Sequence, residues 1–168
     1  MVPLIDLSRR MQANKEAFAL AVQQVMDSGN VLLGAQTTQF EKAFALFAGT
    51  QYGVAVSSGA AALQLSLAAL GIGEGDEVIV PAMTAVPTAS AVCAVGARPI
   101  IVDVDEETAA IDLDLVEAAM TERTRAVIAV HLYGRPVANL DRLMNLGVTV
   151  IEDCAQSHGA TRGLSGSI

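Results

Sequence analysis

Two short stretches carry side chains suited to chemistry. The run over residues 150–159, Val-Ile-Glu-Asp-Cys-Ala-Gln-Ser-His-Gly, sets two adjacent carboxylates, Glu152 and Asp153, at the end of an apolar strand pattern. In a parallel α/β sheet, ligands bind at the carboxyl ends of the strands, so a binding carboxylate belongs there. Side chains alternate along a strand, which turns Glu152 and Asp153 to opposite sides, and at most one of them meets a given ligand. Taken alone, Asp153 is equally well read as the cap of the following turn. The second stretch, Ser57-Ser-Gly-Ala60, stands where a strand pattern over residues 53–57 gives way to an Ala/Leu-rich helix. The first-turn N–H groups of a helix lack intrahelical partners and its dipole is positive there, so with two hydroxyls alongside they outline a phosphate cradle. The same residues also make an ordinary helix N-cap. No Gly-Lys-Ser/Thr follows and no G-x-G-x-x-G spacing is present, so neither a P-loop nor a dinucleotide fingerprint applies.

The elements that must position these groups follow from hydrophobic period. Phe18, Ala21, Val22 and Val25 recur at helical spacing from about Lys15 to Ser28, with Gly29 placed as a C-cap. A second helix is expected from about Thr38 to Ala48, with Phe40, Ala43, Phe44 and Phe47 on one face. Strand and helix patterns then alternate: strands at 53–57, 77–80, 98–104, 125–132 and 148–153, and helices ending near Leu70 and spanning about 87–95, 113–120 and 140–146. Helical crossovers between successive strands predict an α/β fold with a mostly parallel sheet covered by helices on both faces. The division expected is an N-terminal helical segment, residues 1–50, and a partial ligand-binding domain, residues 51–168. Residues 161–168 read as a glycine-rich loop leading into a further element.

Composition agrees with that class. Of the 168 residues, 52% are hydrophobic and only 4% aromatic, with mean hydropathy +0.47, which calls for a sheet buried on both faces. Ten basic residues against 18 acidic ones give a formal charge of −8, which argues against nucleic-acid or anionic-membrane partners. Cys93 and Cys154 lie outside any CxxC or metal-ligand spacing and read as small buried hydrophobes, with no metal expected. No stretch approaches the roughly 18 apolar residues of a membrane span, and no signal-peptide pattern opens the chain, so a cytoplasmic location is expected.

In order along the chain, Gly29-Asn-Val-Leu-Leu-Gly34 with Phe40-Glu41, Ser57-Ser-Gly-Ala-Ala-Ala-Leu63, the 71–81 block, Pro99-Ile-Ile-Val-Asp-Val104, His131-Leu-Tyr-Gly134 and Glu152-Asp-Cys-Ala-Gln-Ser-His-Gly159 resemble the DegT/DnrJ/EryC1/StrS aminotransferases. The resemblance implies the large domain of a fold-type-I aminotransferase that binds pyridoxal 5'-phosphate (PLP). It implies that Asp153 pairs with the pyridine nitrogen, so that the ring can accept electrons, and that Gln156 bonds the phenolic oxygen. It further implies that the backbone of Gly59, Ala60 and Ala61 holds the phosphate with Ser58 as a hydroxyl partner, and that Thr84 lies in the segment over the ring face. His158 and His131 are candidate ligand contacts, as is Tyr133; Arg135 and Arg162 are candidates for a nucleotide diphosphate. The sequence departs from the family at Ala60, where a threonine is usual, at Ala85, where many members carry an aromatic ring, and in a short helix after Gly134.

By the same resemblance the reaction moves an amino group from an amino acid such as glutamate onto a nucleotide-linked keto-sugar, in a cytoplasmic homodimer. The Schiff-base lysine of the family falls beyond Ile168; Lys15 and Lys42 sit at polar positions of the early helices. Alternatives are a truncated, non-catalytic fragment or dimerising subunit, and a PLP-dependent sugar dehydratase with histidine in place of that lysine.

Overall fold

The computed structural model of the chain describes residues 5–161. Arg162 and the glycine-rich end therefore lie outside the described residues. The chain divides into two compact units, 1–55 and 56–168.

The first unit contains three helices, α1 (Leu7–Ala13), α2 (Lys15–Ser28) and α3 (Ala35–Ala48). Gly29 ends α2 in the left-handed conformation at φ 67°, as its position predicts, because an L side chain there crowds the backbone carbonyl. Phe40, Phe44 and Phe47 line one face of α3 with ring centroids 5.5 and 6.0 Å apart, within the attractive range of tilted aromatic pairs. Lys15 and Lys42 are exposed. The strand expected over residues 53–57 does not form: residues 52–56 run without a ladder partner, and Val54 is 80% exposed. The reason lies in α3. Glu41 Oε1 accepts the Ala55 N–H at 2.9 Å, and Gly53 lies so close to α3 that a Cβ there would come within 2.6 Å of the Glu41 carbonyl oxygen. For the Ala55 N–H the partner is thus a side chain and not a neighbouring strand.

The second unit is the sheet. After α4 (Gly59–Ala69) come β1 (Glu77–Pro81), α5 (Val86–Ala94), β2 (Arg98–Val102), α6 (Leu113–Ala119), β3 (Thr124–Val130), α7 (Leu140–Met144) and β4 (Thr149–Asp153). Among the described residues the strands are all parallel in the order β2-β1-β3-β4, four where five were expected. Beyond β2, Val104 makes only an isolated antiparallel bridge to Ile111. Every residue of β1 is buried, as is all of β3 except Arg125. Alternation divides their side chains between two cores. Val78, Val80, Ile128 and Val130 pack with Leu63 and Leu67 of α4 and Val92 of α5. Ile79, Val127 and Ala129 pack on the other face with Val116, Leu140 and Leu143 of α6 and α7. Each fully buried aliphatic side chain here contributes on the order of 1.5–3 kcal/mol of transfer free energy. α5 buries Thr88, Ala91 and Val92; Cys93, one residue further and 100° around the helix, is exposed, and Cys154 is half-buried. The reading of both cysteines as buried hydrophobes is thus corrected.

At the amino ends of the strands a carboxylate anchors the sheet. The Glu77 side chain is 3% exposed. Thr121 Oγ1 donates to it at 2.6 Å and Arg123 at 2.8 Å, with Arg98 at 3.9 Å. The Thr121 hydrogen bond, assisted by Arg123 and Arg98 and opposed by burial, holds its pKa below the ordinary 4.5. A depressed folded-state pKa contributes stability above the unfolded value that disappears as pH falls through the folded one. The wild-type melting temperature is therefore expected to fall more steeply below pH ~4.5 than that of Glu77→Gln, measured by circular dichroism; parallel curves would show that Glu77 does not supply this dependence.

Candidate functional site

The connections of the sheet decide where chemistry can occur. α4 feeds the amino end of β1 through a short loop, so its own N-terminus lies at the carboxyl ends of the strands; Thr84 leaves β1 at that same rim, just before α5. Parallel register pairs Val130 with Asp153 and Ala129 with Glu152. Asp153 thus shares the face of Val130, α4 and α5, while Glu152 belongs to the face of α6 and α7. The opposite orientations read from alternation are those found.

Thr84, Ala85, Val130, His131, Asp153 and Gln156 together line one small cleft at this rim. Asp153 is half-buried, and its Oδ1 accepts the Ala155 N–H at 3.1 Å, leaving Oδ2 for a ligand. Gln156 Oε1 accepts the Tyr133 N–H at 2.7 Å. That bond assigns the amide: with the oxygen engaged, its NH2 group is the part that can donate outward. Tyr133 takes φ 57° to present this N–H, a conformation costly for a non-glycine residue. In the following glycine, Gly134 (φ 79°), a Cβ would meet the Gln156 carbonyl oxygen at 3.3 Å. Thr84 Oγ1 and Thr88 Oγ1 share a hydrogen bond of 2.8 Å.

Ser58 caps α4, its Oγ accepting the Ala61 N–H at 3.1 Å and its carbonyl the Ala62 N–H at 2.9 Å. The amides of Gly59 and Ala60 are the first-turn donors that remain for an anion, and the space beside Gly59 is open. Ala61, one of the three expected backbone donors, spends its N–H inside the cap. His158 is exposed. Arg135 is turned to the Glu107 carbonyl at 2.8 Å. The short helix expected after Gly134 is α7, five residues long.

His131 is 0% exposed. Its Nδ1 accepts the Val137 N–H at 3.0 Å, and its Nε2 lies 3.0 Å from Glu152 Oε2. Burial disfavours the imidazolium, whereas Cys154 and Glu152 favour it. The Val137 N–H decides between them: it faces Nδ1 as a donor and would oppose a second donor, so the ring stays neutral with its proton on Nε2. The Glu152–His131 pair escaped the residue-by-residue reading. Its signal was present in the period: Glu152 turned away from Asp153 toward the face on which His131, one residue past β3, also falls.

A parallel sheet with helices on both faces, a carboxylate and an amide at one strand end, and a helix N-terminus on the same rim form part of a fold-type-I aminotransferase large domain. The chain belongs to the DegT/DnrJ/EryC1/StrS aminotransferase family, whose pattern matches residues 12–163. It is 45% identical over 163 residues to dTDP-3-amino-3,4,6-trideoxy-alpha-D-glucose transaminase of Streptomyces venezuelae, covering 95% of this chain and 43% of that protein. It is 41% identical over 165 residues to UDP-2-acetamido-2-deoxy-3-oxo-D-glucuronate aminotransferase of Pseudomonas aeruginosa, covering 96% and 46% respectively. Among solved structures, DesV of S. venezuelae superposes with a TM-score of 0.91 at 45% identity, over 94% of this chain and 43% of that one. A family aminotransferase from Brucella abortus gives 0.89 at 33%, over 95% and 45%. The chain thus spans less than half the length of these relatives. No helix among the described residues is long and apolar enough to cross a membrane.

The Ser58 cap has a direct energetic test. Ser58→Ala is expected to destabilise by about 1 kcal/mol and Ser58→Gly by only a few tenths, read from urea midpoints; equal losses would show that the hydroxyl does not cap α4.

Proposed function

We propose that the native-length protein is a PLP-dependent aminotransferase that moves an amino group from an amino acid such as glutamate onto a nucleotide-linked keto-sugar. The observation that carries this reading is the meeting of Asp153, Gln156 and Thr84 around one cleft, on the sheet face whose helix α4 begins at Ser58. The donor set suits the cofactor. The Asp153 carboxylate can hold a proton on a pyridine nitrogen, the outward NH2 of Gln156 can donate to a phenolate oxygen, and the Gly59 and Ala60 amides with the Ser58 hydroxyl can donate to a phosphate. PLP supplies an electron sink for the substrate carbanion when bound. The other work would belong to the chain: the negative charge of Asp153 would keep a proton on the ring nitrogen, Gln156 would orient the ring, and Thr84 and Ala85 would line the cleft beside it.

The relatives are named for dTDP- and UDP-linked sugars, which supports a nucleotide-sugar substrate here. Covalent attachment of the cofactor is assigned to a lysine beyond Ile168, and the working assembly to a cytoplasmic homodimer.

The protein purified from its native source is expected to show an intact mass above the 17.4 kDa of this chain and a PLP absorbance that borohydride fixes to a lysine. A mass equal to this chain with no fixed adduct would sink the catalytic reading in favour of a fragment. In the active protein, Asp153→Asn is expected to lower kcat at least about a hundredfold, the scale of a lost charge-stabilising group. Turnover within a few-fold of wild type would remove Asp153 from the mechanism.

A further inference from the structure

We propose that His131 is a positioning residue that aims the Asp153 carboxylate by holding the end of β4 at two points and the turn after β3 at a third. The inference rests on the cofactor reading above.

The three points are separate. The His131 backbone N–H donates to the Asp153 carbonyl at 3.0 Å, carrying the β3–β4 ladder one step past its last paired residues, Val130 and Asp153. On the ring, Nε2–H donates to the Glu152 carboxylate at 3.0 Å, and Nδ1 receives the Val137 N–H, also at 3.0 Å. Residues 131 and 137 bracket the turn that carries Tyr133, whose N–H orients Gln156. One buried imidazole therefore ties together β3, the end of β4 and the turn that holds the second ligand group.

The lock works through alternation. Glu152 and Asp153 leave β4 on opposite faces, so any twist of that strand end moves both. Glu152 is 27% exposed at the end of β4, where an unheld carboxylate would be drawn toward water. Held by Nε2–H on the α7 face, it prevents the rotation that would swing Asp153 off the α4 face. An aliphatic residue at 131 would fill the space and keep the backbone bond to Asp153, but would make neither of the ring bonds. The full satisfaction of both ring nitrogens identifies the role as orientation: neither is left to meet a ligand.

The test uses the native-length protein and pyridoxamine phosphate, which cannot attach through a lysine and so reports the non-covalent contacts. His131→Asn keeps an acceptor for the Val137 N–H and loses the donor to Glu152. It is expected to fold, to bind pyridoxamine phosphate about tenfold more weakly, and to add little to the loss already caused by Asp153→Asn. Glu152→Ala, which breaks the same bond from its other end, should weaken binding alike, and Glu152→Gln should restore most of the loss; this pair carries the test if His131→Asn does not fold. Binding by His131→Asn and Glu152→Ala equal to wild type, or losses that simply add to that of Asp153→Asn, would overturn the positioning role. Failure of the wild type to bind, or no effect of Asp153→Asn, would instead overturn the cofactor reading itself, and this inference with it.

Discussion

β1 and β3 are apolar on both faces at once, and strands in that situation persist only where helices seal both sides. The rest of the second unit follows from that demand. β1 reaches β2 through α5 on one side of the sheet, and β2 reaches β3 through α6 on the other. Parallel pairing sends every strand in the same direction, so all the strand-to-helix turns emerge on one rim and all the helix-to-strand returns on the other. The fold thereby concentrates unpaired helix-start amides and strand-end side chains on a single edge before any residue there is chosen for chemistry.

What the chosen residues add is direction. Asp153 and Gln156 are polar groups at a strand end and in the turn after it. Each is held by a backbone N–H, that of Ala155 for the carboxylate and that of Tyr133 for the amide. The strained Tyr133 conformation belongs to the same arrangement. The turn after β3 adopts an unfavourable backbone angle, and in return an N–H points at Gln156 that a relaxed turn would aim elsewhere.

Much of this was legible in the residues because the signals are local. The period of α2 and the glycine after it located the helix and its end, and the apolar runs located β1, β3 and β4 to within two residues. Ser58 followed from capping chemistry, and the opposed faces of Glu152 and Asp153 from the two-residue period. The losses share a different cause. A strand over 53–57 reads well by composition, yet a strand exists only with a neighbour, and here Glu41 and the approach of α3 supply the backbone contacts instead. Cys93 was misplaced because one helical step separates a buried face from an open one. The ring of His131 bonds residues six and twenty-one positions away, a separation no short-range pattern encodes.

The two rims also differ in what a mutation there can change. Glu77, Thr121 and Arg123 hold the sheet together at the amino ends of the strands, while Ser58, Thr84, Asp153 and Gln156 occupy the carboxyl ends. A whole strand length separates the cluster that anchors the scaffold from the polar groups at the cleft. A replacement along one rim can therefore alter the cleft while leaving the anchoring cluster intact, and a replacement along the other can alter thermal tolerance while leaving the cleft intact.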